Sequence, residues 1–139
     1  MQSKIPSIID ELRRVADDAT ETFGGLSAEQ VNWKPSEKEW SIAQCFEHLI
    51  VTNGLYSPNI QAVIDGKHRN NFYSKVPFVT DLIAAAMRYS MNPKQRRKMK
   101  TFTMFEPSTS DVADTIIDDF GANQQRLIEM AKASEAFDV

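Results

Sequence analysis

The feature that most limits the fold of this chain is the spacing of its apolar residues, which recur at three- and four-residue steps in several separate segments. That spacing gathers apolar side chains on one face of an α-helix, whereas a half-buried β-strand requires strict alternation. The best strand candidate, Thr101 to Phe105, is short and is followed by Pro107, and no hairpin turn accompanies it. The pattern therefore predicts an all-α fold.

The first predicted helix begins near Ile5. Its apolar face consists of Ile5, Ile8, Ile9, Leu12, Val15, Ala16 and Ala19, and charged residues occupy the opposite face. Gly24 and Gly25 follow the apolar stripe, and glycine readily adopts the left-handed conformation found at many helix C-termini. We therefore expect this helix to end at the glycine pair, with the left-handed residue there.

The connector after the first helix carries two capping-box spacings, in which a serine is followed three residues later by a glutamine. Ser27 and Gln30 predict a short helical turn, and Ser41 and Gln44 predict the start of the second long helix. Two tryptophans, Trp33 and Trp40, also lie in this connector. Because an indole ring contributes a large apolar area when it is buried, we expect both tryptophans to anchor the connector against the helices.

The second long helix has an apolar stripe formed by Ile42, Phe46, Leu49, Tyr56, Ile60, Val63 and Ile64, with Gly66 marking its end. Pro58 lies inside this segment, and proline lacks a backbone donor and clashes with the carbonyl four residues earlier. We therefore expect a kink or a break near Leu55.

Two further helices are predicted, one from Pro77 to Tyr89 and one that starts at Ser110 or Asp111. The last helix has the stripe Val112, Ile116, Ile117, Phe120, Leu127, Ile128 and Ala131. A basic cluster from Lys94 to Lys100 lies between the two helices and is predicted to be a solvated connection. The chain therefore predicts one domain over residues 1–139, an antiparallel bundle of three long helices and a shorter one.

Charge and cysteine content exclude several classes of partner. The chain has 16 Lys and Arg against 19 Asp and Glu, a formal charge of −3, so it lacks the basic field that attracts nucleic acid or anionic lipid. Cys45 is the only cysteine, which excludes an intramolecular disulfide and indicates a reducing, cytoplasmic location. No apolar run is long enough to cross a membrane.

His48 and His68 are the two histidines. His48 lies at the edge of the apolar stripe of the second helix, where an imidazole can point into a groove between helices and bind a metal or act as a base. A structural or surface histidine is the alternative. His68 follows Gly66 in a polar stretch and is not predicted to be a ligand. Cys45 precedes His48 by one turn, but we expect it to be a small buried apolar residue rather than a nucleophile.

Two sequence runs resemble the N-terminal half of DinB-like proteins. Residues 26–35 read LSAEQVNWKP and residues 39–49 read EWSIAQCFEHL. Those proteins share an L-x-x-E-x-x-x-W-x-P segment followed by W-S-I-x-E/Q-x-x-x-H-L. The likeness covers the first two long helices and their connector, while Phe105-Glu106-Pro107 and the last predicted helix match the later family pattern more loosely.

The resemblance implies an antiparallel up-down four-helix bundle, often dimeric, in which His48 binds a divalent metal such as nickel, zinc, manganese or iron. In the family, an H-x-x-x-H pair on the last helix completes the ligand set. The last predicted helix of this chain carries Asn123, Gln124, Gln125 and Arg126 but no histidine. We therefore expect the fourth helix, with its histidine pair, to lie beyond Val139, and the ligand set within this chain to be incomplete.

The function implied by the resemblance is a metal-dependent hydrolase or thiol transferase that acts on a small molecule. No catalytic residue is assigned. The alternative is a catalytically inactive bundle that dimerises or binds a protein partner through an apolar groove. If the fourth helix lies beyond Val139, the flank of the second helix with Cys45, His48, Thr52 and Leu55 is the side that it would cover, and an apolar groove left exposed there would promote self-association.

Overall fold

The computed structural model describes residues 4–67, 82, 85, 86, 88, 89, 92, 94, 100–108 and 111–135. It contains the helices α1 (Ile5–Phe23), α2 (Ala28–Asn32), α3 (Ile42–Ile64) and α4 (Ile116–Ser134), and a 3-10 turn at Thr103–Phe105. The described residues contain no β-strand. The prediction of an all-α fold is confirmed.

The glycine at the end of α1 is explained by the short distance that a Cβ there would have to a backbone carbonyl of the preceding turn, and not by a left-handed backbone. Gly24 has a φ of −64° and its N–H donates to the carbonyl of Thr20, so the predicted left-handed conformation is wrong here. A Cβ at position 24 would lie 2.5 Å from that carbonyl oxygen, so a larger residue would force the backbone to shift. At the end of α3, by contrast, Gly66 does adopt a positive φ of 66°.

Both predicted capping boxes are present. Ser27 and Gln30 exchange side-chain to backbone hydrogen bonds at the start of α2, at 2.9 and 3.2 Å. Ser41 and Gln44 do the same at the start of α3, at 3.0 and 3.1 Å, and both side chains are buried. Because each pair satisfies two backbone donors that a helix start leaves free, these residues determine where α2 and α3 begin.

Helix α3 continues through Pro58 without the break predicted near Leu55. The residue four positions before the proline is Gly54, whose carbonyl receives no N–H from position 58, and both Gly54 and Pro58 are exposed. The adjacent carbonyl, that of Asn53, accepts a hydrogen bond of 2.7 Å from the Ser57 hydroxyl. The proline is therefore accommodated on the solvent side of the helix.

Helix α4 begins at Ile116, later than the predicted start at Ser110 or Asp111. The side chain of Asn32 accepts from the Val112 N–H at 2.8 Å and donates to the Val112 carbonyl at 2.7 Å. These two bonds use the N–H and the carbonyl of Val112, which are then not free for helical hydrogen bonds. The helix therefore begins after Val112. The predicted acidic residues do lie in the first turn of α4, as Asp118 and Asp119.

Aromatic contacts define how the long helices run. Phe46 makes edge-on contacts with Phe23 at 5.4 Å and with Phe120 at 5.0 Å between ring centroids. The C-terminus of α1 thus meets the first turns of α3 and α4. Further along both α3 and α4, Asn53 donates to Asn123 at 2.7 Å. Helix α1 therefore runs opposite to α3 and α4, which run in the same direction.

The core follows from this arrangement. Helix α4 packs extensively against both α1 and α3. The core cluster consists of Ala19, Val31, Ala43, Phe46, Ile116, Ile117 and Phe120. The helical-bundle architecture is confirmed, with antiparallel packing of α1 on α4. The parallel pair, α3 and α4, is joined by the long connection 65–115.

Other sequence predictions fall largely outside the described residues. Within the predicted helix from Pro77 to Tyr89, residues 82, 85, 86, 88 and 89 are helical, and the bounds of the segment lie outside the described residues. Lys94 and Lys100 of the basic cluster are exposed, as predicted for a solvated connection, and the rest of the cluster lies outside as well. Among the described helices, none is both long enough and apolar enough to span a bilayer.

Candidate functional site

His48 lies in the second turn of α3 and is partly buried. Its Nδ1 atom is 2.5 Å from the backbone carbonyl oxygen of Phe105. A carbonyl oxygen can only accept, so Nδ1 carries the hydrogen of this bond and the neutral ring has its lone pair on Nε2. A histidine that donates one ring N–H to a carbonyl and leaves the other nitrogen unprotonated has the arrangement of most metal-bound histidines.

One aromatic ring contacts the imidazole, and a second aromatic pair includes Phe105, whose carbonyl accepts from His48. The ring of Trp40 is 5.1 Å from the ring of His48, tilted by 45°. The ring of Phe105 stacks on that of Tyr56 at 6.3 Å, nearly parallel. The predicted anchoring role therefore fits Trp40, which contacts α3. It is wrong for Trp33, which is 67% exposed.

The turn that carries the Phe105 carbonyl is anchored to α3 through Ser108. Gln44 donates from Nε2 to the Ser108 carbonyl at 2.8 Å. Both the N–H and the hydroxyl of Ser108 donate to one carboxylate oxygen of Glu47, at 2.8 and 2.9 Å. The turn is thus held by the same stretch of helix that carries His48.

Cys45 and Thr52 lie on the same flank of α3 as His48, one turn before it and one turn after it. Cys45 is exposed, so the prediction of a buried cysteine is wrong. Its thiol is nevertheless partly desolvated by its neighbours, which raises the pKa above the usual value for cysteine. The group is therefore a protonated thiol near neutral pH, which argues against a nucleophilic role. The buried hydroxyl of Thr52 has no hydrogen-bond partner among the described residues.

A complete metal site is not assembled by the described part of the chain. No group of three or more His, Cys, Asp or Glu side chains there is placed to hold an ion. Asn123 and Gln124 are buried on α4, and Asn123 is engaged by Asn53 at the helix interface. His68 lies outside the described residues. His48 could therefore serve as one metal ligand, but a metal site would need further ligands that the described residues do not supply.

The outer flank of α3 is apolar and open. Leu49, Leu55, Tyr56 and Ile60 are between 39% and 47% exposed. Glu47 is the only Asp, Glu, Lys or Arg in the 23 residues of the helix, and a helix so poor in charge is normally covered on every side. We refer to these four residues as the open flank. Of the flank predicted from the sequence, Leu55 belongs to the open flank and Cys45 is also exposed, whereas the Thr52 hydroxyl is buried. The role of that flank as a contact surface stays a prediction.

Sequence reasoning did not identify the groups that orient His48. The Phe105 carbonyl comes from a backbone position 57 residues further along the chain, and a backbone carbonyl leaves no residue-type signal. Glu47 and Ser108 are 61 residues apart and match no spacing rule. Only the fold brings these groups together.

The fold and the site together define a class, that of all-α bundle proteins with a histidine on the second long helix oriented by the connection to the last. The chain belongs to the DinB superfamily, because the model of that family matches residues 11–138, nearly the whole sequence. The resemblance seen in the two sequence runs is thereby confirmed. No curated protein and no solved structure gives a significant match to the chain.

Proposed function

We propose that this protein is a metal-dependent hydrolase or thiol transferase acting on a small molecule, with His48 as a ligand of a divalent metal ion. The observation that supports this most directly is the bond from Nδ1 of His48 to the Phe105 carbonyl. That bond leaves Nε2 as the electron-pair donor and fixes the orientation of the ring. Membership of the DinB superfamily supports a metal-associated role.

The residues around His48 suit such a site in part. The ring of Trp40 packs beside the imidazole and His48 is partly buried, so one side of the ring is shielded from water. Zinc sites generally use three or four protein ligands, so further ligands would come from outside the described residues or from a second copy of the chain. A bound divalent ion would supply Lewis acidity toward a substrate oxygen or sulfur or a bound water. The free thiol of Cys45 fits the reducing cytoplasm.

Elemental analysis of protein purified without a histidine tag tests the proposal. We expect near-stoichiometric nickel, zinc, manganese or iron in the wild-type protein, and loss of that metal in His48→Ala. His68→Ala is the matched control, because it removes the other histidine, and we expect it to retain the metal. Wild-type protein without metal, or retention of metal in His48→Ala, would contradict the proposal.

The open flank of α3 favours a second candidate, a catalytically inactive bundle that forms a homodimer. Large apolar surfaces on soluble proteins mark interaction sites more often than they mark free surface. Sedimentation equilibrium distinguishes the two functions when it is combined with the metal analysis. A metal-free dimer that dissociates in Leu49→Ser/Tyr56→Ser would support the interaction module, and a metal-containing monomer would exclude it.

A further inference from the structure

Three side-chain to backbone contacts hold the chain after Thr103–Phe105 against α3. Phe105 accepts from His48, and the backbone of Ser108 is bound by Gln44 and Glu47. The carbonyl of Ser108 accepts at 2.8 Å and its N–H donates at 2.8 Å, so both of its backbone polar groups are engaged by the helix. Ser108 is therefore attached to α3 through both of its backbone polar groups and its hydroxyl.

The spacing of these residues explains why the contacts act on His48. Gln44 lies one helical turn before both Glu47 and His48, and residues three or four apart in a helix are neighbours on its surface. On the other side, only two residues separate Phe105 from Ser108. A shift of Ser108 away from Gln44 and Glu47 would therefore also move the Phe105 carbonyl away from Nδ1.

The position of that carbonyl selects one of the two neutral forms of the imidazole. With the hydrogen on Nδ1, the ring donates to Phe105. With the hydrogen on Nε2 instead, the Nδ1 lone pair would face the carbonyl oxygen, and two acceptors in contact lose the bond and repel each other. A carbonyl held in place therefore keeps Nε2 free of hydrogen.

We propose that Gln44 and Glu47 clamp Ser108 and thereby position the Phe105 carbonyl, which holds His48 in the form with the hydrogen on Nδ1 and Nε2 available to a ligand. Gln44 and Glu47 are positioning residues and do not touch the ligand. The inference concerns the free protein, and only its consequence for metal affinity rests on the proposed function.

Nitrogen-15 NMR of the imidazole in the metal-free protein at a pH where His48 is neutral tests the clamp, because protonated and unprotonated ring nitrogens have well-separated shifts. Glu47→Ala removes the acceptor of both Ser108 donors. Glu47→Gln removes the charge but keeps an oxygen that can accept from Ser108. It therefore distinguishes the effect of holding Ser108 in place from the effect of the negative charge beside His48. Glu106→Ala is the matched control, since it removes an exposed carboxylate next to Phe105 that has no side-chain hydrogen bond among the described residues.

We expect hydrogen on Nδ1 in the wild-type protein, in Glu47→Gln and in Glu106→Ala. In Glu47→Ala we expect a shift of population toward the form with hydrogen on Nε2. Ser108→Ala removes one of the two donors to Glu47 and should give an intermediate shift, which provides a second measurement should Glu47→Ala unfold. An unchanged Nδ1–H form in folded Glu47→Ala and Ser108→Ala would overturn the proposal, as would hydrogen on Nε2 in the wild-type protein.

Titration with zinc or nickel ions distinguishes failure of the clamp from failure of the proposed function. Loss of a group that orients a metal-bound histidine typically costs about 10- to 100-fold in affinity, and we expect that loss in Glu47→Ala but not in Glu47→Gln. If the NMR shifts change as expected but neither the wild-type protein nor any variant binds metal, the positioning role is supported and the proposed function is wrong. If metal binding requires His48 but the position of the ring hydrogen does not change in Glu47→Ala, the proposed positioning role of Glu47 is wrong.

Discussion

Two sets of apolar residues on α3 have opposite environments. Ala43 and Phe46, which we call the buried face, lie in the core cluster with residues of α1 and α4. Leu49, Tyr56 and Ile60 of the open flank continue the apolar stripe of Phe46 along the same helix, yet they are exposed. Hydrophobicity alone therefore did not determine which residues became core. The packing partner matters as well, because α4 supplies Phe120 to Phe46.

The largest expected effect on this comparison comes from the buried face. Phe46→Ala removes the ring that contacts both Phe23 and Phe120, and loss of a core aromatic ring typically costs about 3–5 kcal/mol of unfolding free energy. Urea unfolding followed by far-UV circular dichroism measures the loss. A decrease below about 1 kcal/mol would show that this aromatic cluster does not hold the three helices together.

An intermediate effect is expected where the buried face becomes polar. Asn123→Ala removes the acceptor of the hydrogen bond from Asn53, and leaving a buried polar group unpaired costs about 1–3 kcal/mol. Asn53→Ala and the double variant complete a cycle, and their urea midpoints measure the coupling. Since the two side chains contact each other, the effects should be non-additive. Additive effects would mean that the pair does not form in solution.

The smallest effect is expected on the open flank. Ile60→Ser places a polar group where the side chain is already exposed, and such surface changes usually alter stability by no more than about 0.5 kcal/mol. Ile117→Ser on α4 is the matched control, because the same substitution there affects a buried isoleucine and should destabilise strongly. Equal losses of unfolding free energy in the two variants would show that the open flank is covered in solution. Its environment would then not differ from that of the buried face.

Local signals in the sequence predicted most of the helices. The two capping boxes placed the starts of α2 and α3 correctly, because the hydrogen bonds that define them are formed between residues three positions apart. The start of α4 was misplaced because Asn32, 80 residues earlier in the chain, binds the backbone of Val112. The break near Leu55 was wrongly predicted, because the helix continues through Pro58.

The candidate site was predictable only in outline. His48 was identified by its place at the edge of an apolar stripe and by the resemblance to DinB-like proteins, and its role as a ligand stays a prediction. The orientation of its ring depends on a carbonyl and a serine from a distant segment. Cys45 and Trp33 were expected to be buried, but composition does not show which side of a helix or connector lacks a neighbour.

The pairing of α1 with α4 has a consequence for how the protein folds. These two helices make the most extensive packing in the described structure, yet they lie near opposite ends of the sequence. Closing so long a loop costs conformational entropy before the contact returns any free energy. A helical protein with such non-local contacts is expected to reach its native state more slowly than a bundle of sequential hairpins. The core around Phe46 includes Phe120 of α4 and therefore also depends on a contact between distant parts of the sequence.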